Sequence, residues 1–175
     1  MTTQANRKLE DIKRVSRRLR FLFILIAAGT ALGTLAKVYA PPAAITLAGV
    51  QFAGDAITGM LWFIWIAASV LTAAVLLKLF FHLIRLFGLY AQAQIFTQQN
   101  VAQIRQIGIS LLLLPVVWLV TSGLAASQME TSPGFWSLLL SSFPFAGLIG
   151  GGTILPIAWI MDAGRTLREE QDLVI

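Results

Sequence analysis

The sequence from Lys78 to Gly108, KLFFHLIRLFGLYAQAQIFTQQNVAQIRQIG, decides the fold of this chain. It opens with Lys78, His82 and Arg85, whose spacing of four and three residues puts them on one face of a helix. An amide-rich run follows, and long apolar segments lie on both sides of the whole stretch. A polar connector between two such segments is typical of a membrane protein that exposes the connector to water.

The composition of the whole chain predicts the same class of protein. Of its 175 residues, 57% are hydrophobic and 12% are charged, whereas soluble domains contain about 25% charged residues. The mean hydropathy is +0.79. There is no cysteine, which excludes disulfide bonds, thiolate metal sites and cysteine nucleophiles. We therefore predict an integral membrane protein whose main surroundings are membrane lipids.

The net charge of +5 is concentrated before the first apolar segment. A basic cluster beside a membrane span is a topology signal that favours the cytoplasmic side with its anionic lipids, so we expect no direct binding of nucleic acid. Apolar residues recur at helical spacing within the cluster, and we expect a basic amphipathic arm on the inner membrane surface. The cluster contains seven of the thirteen Lys and Arg residues: Arg7, Lys8, Lys13, Arg14, Arg17, Arg18 and Arg20.

Four apolar segments are long enough to cross a hydrocarbon layer about 30 Å thick. The positive-inside rule puts both termini and the middle connector in the cytoplasm, because nearly all Lys and Arg residues fall there. Lys37 is the exception, and it lies close enough to the outer end of its span to snorkel. The predicted fold is an all-α, integral-membrane four-helix bundle. It comprises a cytoplasmic arm (1–20), a transmembrane domain (21–161) with spans at 21–39, 60–81, 107–126 and 143–161, a cytoplasmic connector (82–106) and a cytoplasmic tail (162–175).

The two predicted outer loops contain no Lys or Arg. In the first loop, residues 45–47 and 50–52 alternate in polarity on either side of two small residues, which predicts a small hairpin at the membrane surface. In the second loop, the interfacial pair Phe135-Trp136 precedes an apolar run. We expect that second loop to dip into the membrane interface.

Small residues at a spacing of four occur in the first and the last span. Gly29 and Gly33 form one G-x-x-x-G pattern, and Gly147 and Gly151 form another. Such pairs allow a neighbouring helix to approach closely. We therefore expect the fourth span to be central in the bundle. Glycines there could instead make a broken, ion-coordinating helix as in transporters, but no ionisable residue accompanies them at that depth.

A helix start is predicted within the connector. Thr97 followed by Gln98, Gln99 and Asn100 resembles an N-cap. Asn100 is in the position from which a capping-box side chain reaches back, although Glu or Gln is preferred there. Arg105 then marks the inner boundary of the third span.

The sequence contains no recognisable catalytic or metal-binding constellation. The sole histidine, His82, has no carboxylate near it in sequence, and we expect it to be solvated. The acidic cluster of Glu169, Glu170 and Asp172 is typical of a solvated tail. No ionisable residue falls at mid-bilayer depth, where proton-coupled carriers place theirs. We therefore expect no enzymatic activity, no cofactor and no metal.

The connector and the C-terminal tail resemble each other. Residues 93–100 align with residues 164–171: each has a small residue, a large apolar one at the fourth position, and polar residues after it. Each also follows an even-numbered span. This similarity predicts two helical hairpins repeated in parallel, while chance similarity between two short polar segments is the alternative.

The same two stretches, YAQAQIFTQQNVAQIRQIG (90–108) and DAGRTLREEQDLVI (162–175), resemble the signature segments of domain-of-unknown-function family 2975. Ala93 stands where that pattern has glycine, and Val174 where it commonly has threonine. The resemblance implies a small four-span protein of a bacterial inner membrane with no assigned activity. Members are often encoded beside a small helix-turn-helix regulator, which the resemblance suggests as a partner.

Three hypotheses about function follow. In the first, the protein is non-enzymatic and its cytoplasmic face binds a protein partner such as that regulator. In the second, the same polar residues only cap helices and lock the hairpins together. In the third, kinks at Pro115 and Pro156 and the glycines of the fourth span form the cavity of a transporter or sensor. The residues proposed for interaction or capping are Thr97, Gln98, Gln99, Asn100, Arg105, Arg168, Glu169, Glu170 and Asp172.

Overall fold

A computed structural model describes residues 2–39, 44–47, 50–53, 59–92, 97–127 and 143–172. It contains four long helices, each with a stretch long and apolar enough to cross a membrane. The predicted all-α, four-helix membrane fold is therefore confirmed. The helices are α1 (Thr2–Tyr39), α2 (Gly59–Ala91), α3 (Gln98–Ala126) and α4 (Phe145–Asp172), and two short strands, β1 (Ala44–Leu47) and β2 (Val50–Ala53), follow α1.

The helices pack in chain order, α1 on α2, α2 on α3 and α3 on α4. Neighbours run antiparallel: Phe23 of α1 stacks on Phe87 of α2, while Lys37 of α1 lies over Trp65 of α2. One end of the molecule therefore gathers the starts of α1 and α3 with the ends of α2 and α4. We call this end the polar end. Because α4 packs mainly on α3, the prediction that the fourth span is central is wrong.

The residues in the contact between α2 and α3 recur at the alternating spacing of three and four that is typical of long helix–helix contacts. On α2 the contacting residues recur at alternating steps of three and four, and α3 supplies a matching series. Ile154 of α4 packs against the same cluster. This central seam ties three of the four helices together. It consists of Leu76, Leu79, Leu83, Leu86 and Tyr90 on α2 and Ile104, Ile107 and Leu111 on α3.

The contact between α3 and α4 is made through glycine. A Cβ added at Gly147 would lie 2.9 Å from the carbonyl oxygen of Leu111, and one at Gly151 would lie 2.8 Å from that of Gly108. Both distances are too short for a real side chain, so the two backbones are in direct contact. By contrast, a Cβ added at Gly29 or Gly33 would meet nothing within 4 Å. The two glycine patterns thus have different surroundings.

Hydroxyl groups inside the spans bond to their own helices. Thr30, Thr34, Ser110, Thr121 and Thr153 each donate to the carbonyl oxygen four residues earlier, at 2.8–2.9 Å. A buried hydroxyl without a partner would be costly in hydrocarbon, which offers no hydrogen bonds. These bonds let the hydroxyls lie in the membrane without polar partners on other helices.

The N-terminal arm differs from the prediction. Residues 1–20 were expected to lie along the membrane surface, but residues 2–39 form one helix with no break. No proline interrupts this segment, and its first glycine is Gly29. At 1.5 Å per residue α1 is about 57 Å long, so it extends well beyond a hydrocarbon layer of about 30 Å. Likewise, α4 continues to Asp172, so residues 162–172 of the predicted tail are helical.

The small hairpin is confirmed. Strands β1 and β2 pair antiparallel, with Ile45 opposite Phe52 and Thr46 opposite Gln51. Each strand is one residue longer than predicted, and β1 contacts α3. The predicted second outer loop, residues 127–142, lies outside the described residues except for Ser127.

Candidate functional site at the polar end

Charge is strongly segregated along the helices. All thirteen Lys and Arg residues lie in the four helices. Lys37 alone among them lies near the opposite end, where its ammonium is 5.9 Å from the centroid of the Trp65 ring. This cation–π contact gives the charge a partner at the boundary of the membrane. The other Lys and Arg residues therefore lie towards the polar end, where they could determine topology or bind a partner.

Thr97 lies directly before Gln98, the first residue of α3. The carbonyl oxygen of Thr97 accepts hydrogen bonds from the backbone N–H groups of Asn100 (3.0 Å) and Val101 (3.3 Å). Its side-chain Oγ1 also accepts from the N–H of Asn100, at 3.4 Å. Thr97 therefore occupies the N-cap position and satisfies donors that the first turn of a helix leaves without partners.

The predicted interaction residues divide by burial. Asn100 is completely buried, with 0% of its surface exposed, so it cannot form part of a surface that a partner touches. Gln98, Gln99 and Arg105 are exposed. The remaining members of the set, Arg168, Glu169, Glu170 and Asp172, lie on the last turns of α4, and their side chains lie outside the described part of the structure.

A groove of about 510 Å³ opens between α1, α2 and α3 at the polar end. We call it the arginine groove. Arg20 of α1 and Arg85 of α2 line it together with three glutamines. The guanidinium of Arg20 lies beside Gly88, at ordinary contact distance (3.9 Å) from the position that a Cβ would take there. The complete lining is Arg20, Ile84, Arg85, Gly88, Leu89, Gln92, Gln99, Ala102 and Gln103.

His82 joins α2 to α3 next to the groove. Its Nδ1 lies 2.7 Å from Oε1 of Gln103, and because that oxygen only accepts, the Nδ1–H is the donor. The ring is partly buried, so His82 is only partly in contact with solvent. The hydrogen-bond partner of His82 is the side-chain amide of Gln103 on the next helix. The residues close to His82 in sequence could not predict this bond. Arg85 lies one turn further on, with its guanidinium 4.9 Å from the centroid of the Phe81 ring.

The described side chains on the extension of α4 interact locally. Arg165 and Asp162 form an ion pair at 3.4 Å, and the hydroxyl of Thr166 donates to the carbonyl oxygen of Asp162 at 3.1 Å. This partly buried pair is three residues apart on one helix, and such pairs stabilise a helix only slightly. Among the described residues there is no group of three His, Cys, Asp or Glu side chains that could hold a metal ion.

The family model described as "Protein of unknown function (DUF2975)" matches residues 51–175. The chain belongs to the DUF2975 family. The matched part contains α2, α3 and α4, with the His82–Gln103 bond and the Thr97 cap, whereas α1 lies outside it. Neither a curated protein nor a solved structure matches the chain. The DUF2975 family and the four apolar helices together describe a multi-pass membrane protein of unknown activity.

The arginine groove of this DUF2975 protein is not among the features predicted from the sequence. Arg20 and Arg85 lie far apart in the sequence, and each was assigned to the general basic character of its segment. The available signals were weak: Gly88 interrupts a run of bulky residues, and Arg20 is the last cation before the first span. Only the packing of α1 on α2 brings the two together.

Proposed function

We propose that this DUF2975 protein is a non-enzymatic protein of the bacterial inner membrane whose polar end faces the cytoplasm and binds a protein partner. The observation that carries this proposal is the concentration of exposed polar and basic side chains at one end of four connected helices. The bundle would act as an anchor, and the polar end as the recognition surface.

Two features of the polar end suit a binding role. Gln98 and Gln99 are exposed directly after the Thr97 cap, so their backbone is fixed while their amides remain available. The helical extension of α4 carries Glu169, Glu170 and Asp172 on a regular backbone. A regular backbone reduces the conformational entropy that an interface loses on binding.

The partner suggested by the resemblance is a small helix-turn-helix regulator. DNA-binding domains are basic, so an acidic helix end is complementary to them in charge. Binding through Glu169 and Glu170 would hold such a regulator at the membrane and away from DNA. Asn100, being buried, would stabilise the start of α3 instead of contacting the partner.

The rival proposal of a transporter or sensor needs space around the glycines of α4. At Gly147 and Gly151 the backbone of α3 already fills that space. The described part of the α3–α4 contact therefore favours packing over a cavity at these two positions.

The partner proposal is tested by co-purification of the regulator with the protein from detergent-solubilised membranes. We expect wild type to retain the regulator and the variant E169K/E170K to lose most of it, because the charge complementarity is reversed. The matched control is E10K/D11K, which makes the same charge change at two exposed neighbours on α1. Equal retention by wild type and E169K/E170K would exclude a role for these carboxylates, and equal loss in both variants would show a nonspecific effect of charge.

A further inference from the structure

The arginine groove has the chemistry of an anion-binding site. Its lining combines two guanidinium groups with the amides of Gln92, Gln99 and Gln103, and no Asp or Glu is among the described residues that line it. Guanidinium groups form paired hydrogen bonds with phosphate oxygens, and amides add neutral donors and acceptors. A volume of about 510 Å³ is in the range of small-ligand sites.

The groove lies at the depth of lipid phosphates. Arg20 is about 29 Å along α1 from Tyr39 at its outer end, which is close to the thickness of the hydrocarbon layer. Measured against the same layer of about 30 Å, Arg85 is about 39 Å along α2 from Gly59 and so lies about 9 Å beyond it. Both arginines therefore reach the headgroup region on the side of the polar end.

Apolar surface continues from the groove towards the membrane. Phe81 lies one turn below Arg85, contacts its guanidinium and is about half exposed. The acyl chains of a lipid bound by its phosphate would lie against the Phe81 ring, so such a lipid would contact both the groove and the apolar surface beside it. The groove therefore fits a lipid better than a free anion.

We propose that the arginine groove binds the phosphate of an anionic phospholipid, with Arg20 and Arg85 contacting the phosphate and the glutamines contacting the rest of the headgroup. Basic pockets between transmembrane helices bind anionic headgroups by this chemistry. No carboxylate occurs in the part of the lining that the structure describes, which disfavours zwitterionic lipids, because their ammonium group would find no anion there. The bound lipid would also fasten α1 to α3, since the groove spans both helices and α2. The groove shares Gln99 with the surface proposed for the protein partner, but its two arginines are not part of that surface.

The test is native mass spectrometry of the purified full chain in neutral detergent, titrated with phosphatidylglycerol, phosphatidylcholine or inorganic phosphate. We expect one tightly bound phosphatidylglycerol and at least about tenfold weaker binding of it by the variant R20Q/R85Q. The matched control, R18Q/K78Q, removes one cation from each of the same two helices outside the groove and should bind as wild type does. Circular dichroism checks that each variant is folded. Should R20Q/R85Q be unstable, R85Q alone gives the same test, because Arg85 is exposed.

Three outcomes would overturn the proposal. The first is unchanged phosphatidylglycerol binding by R20Q/R85Q. The second is an equal loss in R18Q/K78Q, which would mean that net charge alone attracts the lipid. The third is equally tight binding of phosphatidylcholine or of inorganic phosphate, which would remove the selectivity for an anionic lipid. None of these outcomes depends on whether a protein partner binds.

Discussion

At the scale of single residues, identical patterns in the sequence have different roles. Gly29-x-x-x-Gly33 and Gly147-x-x-x-Gly151 have the same spacing and equally apolar surroundings. The second pair lies against the backbone of α3, whereas nothing lies within 4 Å of a Cβ at either member of the first pair. A role for Gly29 and Gly33 in packing therefore remains a prediction about a contact outside the described chain. The spacing alone could not distinguish the two, because lipid-facing and helix-facing surfaces are equally apolar.

The glycine contact of α4 gives a test at a single position. We expect Gly151→Ala to lower the free energy of unfolding by about 1–3 kcal/mol, because the added Cβ would lie 2.7 Å from Cγ of Leu112 and 2.8 Å from the carbonyl oxygen of Gly108. The measurement is reversible unfolding in mixed micelles. The control is Gly152→Ala on the same helix, where a Cβ meets nothing within 4 Å. Because alanine favours helix over glycine by up to about 1 kcal/mol, the control should be neutral or slightly stabilising. Equal effects of the two changes would contradict the packing of α3 on α4.

At the scale of helices, the ends of α3 and the hairpin were predictable because local chemistry determines them. Thr97 caps α3 directly, and the alternation around residues 48–49 determines the strand pairing. The order of packing was not predictable in this way. The neighbours of a membrane helix are selected by contacts between apolar faces, and lipid can cover those faces equally well. The groove depends on that order, so it too could not be found from the sequence.

The continuity of α1 was also missed, for a physical reason. A basic amphipathic segment before a span can lie along the membrane or continue the span, and both forms satisfy the same residue pattern. The stacking of Phe23 between Phe80 and Phe87, with ring centroids 6.3 Å and 5.6 Å away, holds this part of α1 against α2. Ser16, one turn before Arg20, is buried, so the packed face of α1 continues into the former arm.

A distance measurement tests the continuity of α1. The chain has no cysteine, so Gln4→Cys and Ala36→Cys provide two unique sites for spin labels. A continuous helix separates these positions by about 48 Å along its axis, whereas a right-angle bend near residue 20 would reduce the separation to about 34 Å. We expect the longer distance from double electron–electron resonance in lipid nanodiscs. A distribution centred near the shorter value would restore the surface-lying arm.

At the scale of the whole molecule, the exposed surface is explained by its solvent. Large apolar side chains such as Phe63 (71% exposed) and Trp159 (81% exposed) cover the outside of the helices. A soluble protein would aggregate through such a surface, whereas lipid covers it at no cost. Water-facing chemistry is thereby concentrated at the polar end. Binding of a protein partner and binding of an anionic lipid are both proposed at the polar end, where the polar and charged groups are concentrated.

The orientation of the polar end is the central claim of this account. We propose a cytoplasmic polar end on the basis of the positive-inside rule, since the helices carry their Lys and Arg residues at the polar end with Lys37 as the exception. In a cysteine-free chain, accessibility can be measured at one position at a time. Gln98→Cys and Gln171→Cys mark the polar end on two different helices, and Thr46→Cys marks the hairpin beyond the other end.

The most direct test is labelling of these three variants with a membrane-impermeant maleimide in intact cells and after permeabilisation. If the polar end lies in the cytoplasm, Thr46→Cys will be labelled in intact cells. Gln98→Cys and Gln171→Cys will then be labelled only after the membrane has been permeabilised. Labelling of Gln98→Cys and Gln171→Cys from opposite sides would contradict the four-span arrangement, and labelling of both in intact cells would contradict the cytoplasmic orientation.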